Sequence, residues 1–151
     1  MSKAELYKFI HVLAAIIWAG GAATSQVVAL RLKKADPGHR LGFAKDMRFV
    51  AQWLFIPSGV IAFVFGSLLV EEMPAFAYEQ TWLVIGNAGL VVALLIAAAY
   101  LVPHIRKSIR LMESGQGEAA GATLRRVALG ARLVVLILIV IVWAMVAKPG
   151  L

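Results

Sequence analysis

Apolar residues run almost unbroken through four stretches, about Phe9 to Leu30, Phe49 to Val70, Trp82 to Val102 and Val127 to Ala147, and polar residues collect between them. Each stretch makes about 30 Å of helix at about 1.5 Å per residue, the thickness of a bilayer's hydrocarbon core. Inside hydrocarbon every backbone N–H and C=O needs an internal partner, which leaves helices and closed barrels, and these runs lack the alternation of a barrel strand. The pattern therefore predicts an all-α polytopic membrane protein built as a four-transmembrane-helix bundle. No stretch is left over for a second, soluble domain, so residues 1–151 are expected to form one unit.

Positive charge is distributed unevenly over the connections. Arg31, Lys33, Lys34, Arg40, Lys45 and Arg48 follow the first run, and Arg106, Lys107, Arg110, Arg125 and Arg126 follow the third. The segment between the second and third runs, Glu71 to Gln80, contains no Lys or Arg. The positive-inside rule then puts both basic loops in the cytoplasm and both termini outside, an N-out/C-out topology. Lys3 and Lys8 precede the first run as in a signal peptide, but the run is too long for an h-region and continues into basic sequence, so it is expected to be retained.

The formal net charge of +7 does not point to nucleic acid, because the Lys and Arg flank the spans, where anionic headgroups on the cytoplasmic side are the nearer partner. The chain has no Cys. Disulfides, thiolate metal sites, iron–sulfur ligands and covalently attached haem are excluded, and any metal would rely on His, carboxylate or Met.

Asp36-Pro37-Gly38 predicts a turn closing the first helix's cytoplasmic extension, and Pro74 falls in the outer loop, where its missing N–H costs little. His104 to Met112 puts Ile105, Ile109 and Met112 on one face and Arg106, Lys107 and Arg110 largely on the other, a pattern suited to a helix lying along the headgroup boundary. Ser114 to Gly121 reads as a flexible loop. No internal repeat is evident. Ala15, Gly21, Ala22, Gly59, Ala62, Gly66, Gly86 and Gly89 are small residues of the kind that let membrane helices approach closely.

Among polar residues in the spans, His11 is the leading candidate for chemistry. Trp18 and Ser25 follow it at seven-residue steps on one helix face, with Ala15 and Ala22 filling that face between them. An imidazole flanked by alanines has two readings. It hydrogen-bonds across helices or to interfacial water, or it ligates haem iron or a metal in the space the alanines leave. His104 ends the third span on the opposite side of the membrane, so the two histidines cannot clamp one haem within a chain. Asn87, the amide well inside the third span, is expected to find an interhelical partner. Pro57-Ser58-Gly59 predicts a kink after Gln52 and Trp53, and Arg132 is placed to snorkel to the cytoplasmic headgroups or to pair with a propionate or lipid phosphate. The spans hold no carboxylate, which argues against a carboxylate proton relay, and no Walker, dinucleotide, HExxH or nucleophile-elbow motif is present.

His11-Val-Leu-Ala-Ala-Ile-Ile-Trp18-Ala-Gly20-Gly21, the segment from Pro57 to Gly66, Trp82 at the start of the third span and Lys148-Pro149 at the end together resemble a family of bacterial four-span integral membrane proteins of uncharacterised activity. More distantly the chain is similar to the HemJ-type protoporphyrinogen oxidases and to the membrane domain of copper-resistance D proteins. The resemblance implies a bacterial inner-membrane location and a haem b or porphyrin bound by the first-helix His, which maps to His11; the helix-face reading adds Ala15, Trp18 and Ala22 as residues shaping that pocket and Asn87 as the next candidate. The HemJ-type third-helix Lys is missing, its place taken by Trp82-Leu-Val-Ile-Gly86-Asn87, and so is the Asn-Glu-Val-Pro that opens that family's last helix. Porphyrinogen oxidation is weakened accordingly, and no catalytic residue is assigned. Three function classes follow: a haem-binding, redox-related protein; a non-catalytic accessory or assembly subunit, as a homodimer or within a larger membrane complex; and a small transporter or copper-handling protein.

Overall fold

The computed structural model describes residues 1–150, which form four long helices. Helix α1 runs Lys3–Lys34, its last turn tightened to 3-10 geometry over Leu32–Lys34; α2 is Pro37–Glu72, α3 Thr81–Glu113 and α4 Gly117–Ala147. All four are long and apolar enough to cross a membrane. At 36 and 33 residues, α2 and α3 measure about 50 Å, so each extends well beyond a hydrocarbon core of about 30 Å.

Local chemistry sets the helix ends. Ser2 and Glu5 form a reciprocal capping box, the Glu5 N–H donating to Ser2 Oγ at 3.2 Å and the Ser2 N–H to Glu5 Oε2 at 2.7 Å. Asp36 caps α2 by accepting from the Gly38 and His39 N–H groups, with Pro37 at the first helical position. The same carboxylate pairs with the His39 ring. Its side-chain hydrogen bond to His39, reinforced by the backbone donors, holds Asp36 below the ordinary carboxylate range. Lys148 ends α4 in the left-handed conformation, φ 45°, and its ammonium lies over the rings of Phe76 and Trp82 at 4.9 and 5.3 Å.

Three connections differ from the sequence reading. The segment Pro37–Val50 is helical and continues directly into the second span, so the Asp36-Pro37-Gly38 turn opens α2 as well as closing α1. His104 to Met112 does not form a separate helix along the boundary. It prolongs α3 as Val102–Glu113, with Val102, Ile105, Ser108 and Ile109 buried against α2 and α4. The amphipathic pattern was sound, but a protein face was available to bury it, and that face is supplied by residues far away in sequence. The expected loop Ser114 to Gly121 shrinks to Ser114–Gln116, with Gly115 at φ 76°, before α4 starts at Gly117.

The bundle is two helix pairs. In the half that carries the termini α1 packs against α2 and α3 against α4; at the basic end the extension of α3 packs against those of α2 and α4. Both α2 and α3 carry a π-helical turn at this change of partners, Ala51–Phe55 and Ile96–Leu101, each two residues ahead of a proline, Pro57 and Pro103. A π turn inserts one extra residue and so rotates the following face by roughly 100°. That rotation lets one helix present α1 with Gly59 and Ala62 while its extension presents Ala44 to α3. The kink expected at Pro57 takes this form.

Candidate functional site

His11 lies on α1 at the end of the bundle that carries the termini, half-buried and turned toward α2. Its Nδ1 sits 2.7 Å from the Ala62 carbonyl oxygen. A carbonyl only accepts, so Nδ1 carries the proton, and in the neutral form of the ring it is Nε2 that offers the lone pair. The ring occupies a notch at Gly66, where a Cβ would stand 2.8 Å from Nδ1 and 2.9 Å from Cε1. Among the described residues Nε2 makes no hydrogen bond and no fully buried side-chain nitrogen or oxygen lacks a partner, so this atom is not fully buried. Of the two readings for His11, the interhelical hydrogen bond is present, and it uses only one of the two ring nitrogens.

Trp18, two turns further along α1, is almost fully buried with 2% of its surface exposed. Its indole fills a second notch on α2 at Gly59, where an added Cβ would also meet Leu94 Cδ2 at 2.7 Å. Ala22 is buried and Ala15 half-buried on the same helix. Gly86 receives Met145 and Gly89 receives Ile141 in the other pair, so these glycines are packing positions, as their spacing suggested.

Asn87 is half-buried on α3, one seven-residue step before Leu94, but its amide makes no hydrogen bond among the described residues, contrary to expectation. The α2–α3 seam is the looser one in this half of the bundle. His104 stands ten residues beyond Leu94, and His11 seven residues to the other side of Trp18. The two histidines are therefore about 25 Å apart along the bundle. His104 instead hydrogen-bonds the Tyr100 carbonyl at 2.8 Å and stacks on the Tyr100 ring at 4.2 Å. Arg132 is exposed on α4.

Among the described residues no group of three His, Asp or Glu side chains is placed to hold a metal ion. Met73 lies in the connection between α2 and α3, Met145 packs into Gly86 and Met112 belongs to the basic-end core, so these methionines do not converge. A single imidazole pinned by a backbone carbonyl is the kind of donor that could hold a haem iron. The clefts at the basic end, about 570 and 630 Å³, lie away from His11.

Four apolar helices, closely packed through glycine notches and flanked by basic extensions, define a polytopic integral membrane protein. Residues 5–149 match the family described as "Predicted integral membrane protein (DUF2269)", and the chain belongs to it. No curated protein and no solved structure matches the chain.

Proposed function

We propose that the protein is a bacterial inner-membrane component, with both termini outside, that holds a haem b or related metalloporphyrin through His11 Nε2. The observation carrying this reading is the Nδ1–H donated to the Ala62 carbonyl at 2.7 Å. Ligating histidines are commonly fixed in this way, because the second hydrogen bond sets the tautomer and raises the basicity of the ligating nitrogen. Gly66 supports the reading by leaving room on α2 for the ring to sit close to the Ala62 carbonyl. Ala15, one turn from His11, leaves the adjacent surface low, while Trp18 and Ala22 hold α1 at a fixed distance and Asn87 adds an uncommitted amide on α3. A bound haem would supply one-electron redox chemistry; the chain's own part is to hold one imidazole in a fixed tautomer at a fixed depth. Of the chain's three histidines only His11 lies at this end of the bundle, so a second histidine ligand would have to come from a second copy in a homodimer.

The optical spectrum of protein purified in detergent from haem-replete cells tests this. A Soret band that is lost in His11→Ala and kept in His104→Ala is expected. Absence of the band, or a band unaltered by His11→Ala, overturns the proposal.

A second reading, a non-catalytic accessory or assembly subunit, is favoured by the filling of the α1–α2 interface by Trp18 in the Gly59 notch, which leaves a scaffold rather than a cavity. Migration on native gels with a larger complex supports it. Recovery solely as a free monomer or homodimer counts against it.

A further inference from the structure

At the basic end, the extensions of α2 and α3 enclose a cleft of about 570 Å³ lined by Lys45, Arg48, Arg106, Ile109, Arg110 and Glu113. The two walls are held in register from beneath, since Ala44, Ile105 and Ile109 belong to one buried cluster. Across the water-side end, Lys45 Nζ and Glu113 Oε1 form an ion pair of 2.7 Å. The helix spacings explain the lining: Lys45 and Arg48 are three apart, and Arg106, Arg110 and Glu113 follow at four and three, so each set lies on one face.

Four cations against one carboxylate leave this cleft at a net charge of +3. Glu113 is engaged by Lys45, and among the described residues Arg48, Arg106 and Arg110 have no carboxylate within ion-pairing distance. Three exposed guanidinium groups lining one cleft make its potential positive, and a guanidinium fork matches the oxygens of a phosphate. Height along the bundle is informative too. Arg48 immediately precedes the apolar run starting at Phe49, and Arg106 stands one turn past Val102, where the third run ends. The arginine end of the cleft therefore opens at headgroup level, and the Lys45–Glu113 end faces water.

We propose that this cleft is a binding site for a phosphate group, presented by the headgroup of an anionic glycerophospholipid or as free phosphate, with Arg48, Arg106 and Arg110 as its donors. It is a site between two helices, distinct from the general attraction of basic loops for a negative membrane. It does not depend on the reading of His11. A phosphate seated there ties the extension of α2 to that of α3 just beyond their adjacent π turns.

Native mass spectrometry of the detergent-purified protein, titrated with phosphatidylglycerol and separately with phosphatidylcholine, tests the lipid arm. Phosphorus NMR line broadening of inorganic phosphate tests the other. The comparison is between wild type, Arg106→Gln/Arg110→Gln, and Lys33→Gln/Lys34→Gln, which removes the same charge at the end of α1. The expected result is saturable binding of phosphatidylglycerol over phosphatidylcholine that weakens about tenfold in the arginine pair and is unchanged in the lysine pair. Saturable inorganic phosphate binding with the same residue dependence also supports the site and identifies its ligand as free phosphate. If wild type binds neither probe saturably, or both double variants lose binding equally, the proposal is overturned. The wild-type measurement stands even where a variant fails to fold.

Discussion

Gly66→Ala tests the placement of His11 directly. The new Cβ would stand 2.8 Å from Nδ1 and 2.9 Å from Cε1 of the imidazole, closer than carbon and nitrogen tolerate, so the ring or a helix must move. Overpacking of this kind costs about 1–3 kcal/mol. Displacing the ring also breaks the Nδ1–H bond to Ala62, an interhelical hydrogen bond within a membrane bundle worth about 0.6–1.7 kcal/mol. Against these, alanine favours helix over glycine by about 0.8–1 kcal/mol. The net expectation is a loss of about 2 kcal/mol. In a His11→Ala background there is no ring to strike, and the same substitution becomes neutral or stabilising by up to about 1 kcal/mol. The double-mutant cycle should thus show a coupling of about 3 kcal/mol, read from reversible unfolding in mixed detergent micelles. A cost for Gly66→Ala that is the same in both backgrounds, within about 0.5 kcal/mol, would refute the claim that the imidazole is seated on α2.

Gly59→Ala should cost about 2 kcal/mol with a red shift of tryptophan emission, because the added methyl is confined between Trp18 and Leu94 and neither can retreat; unchanged stability and emission would show the notch to be empty. Asp36→Ala should reduce amide-exchange protection of Gly38 and His39 several-fold by removing their acceptor. The carboxyl is held below its ordinary range, chiefly by the His39 hydrogen bond, so the cap should be complete above that range and fade as the pH falls through the lowered folded value. Protection that is flat across the acid range would contradict it.

The spans, the all-helical class and the role of the small residues in helix packing were legible because hydrocarbon imposes a simple rule. Every backbone group must be paired within its own helix, so length and apolarity are nearly sufficient to locate a span. The small residues were legible for a related reason: with no hydrophobic force between helices in lipid, close approach has to be written into the sequence as Gly and Ala. Outside the hydrocarbon that rule lapses. The reading of 31 to 48 and 104 to 121 as loops and a boundary helix failed there, because Ala44, Ile105 and Ile109 are buried by one another across α2 and α3.

What tertiary structure alone decided is which polar groups meet. The sequence determined that an imidazole sits near the end of the first span; that its Nδ1 meets the Ala62 carbonyl through a gap at Gly66 depends on the register between α1 and α2. The expected interhelical partner of Asn87 is likewise absent among the described residues, an outcome that the pairing of helices decides. The same holds for charge. Arg48, Arg106 and Arg110 were readable as topology signals, but whether cations 58 and 62 positions apart share one cleft is set by how two helices continue past the membrane, a three-dimensional fact that no local pattern encodes.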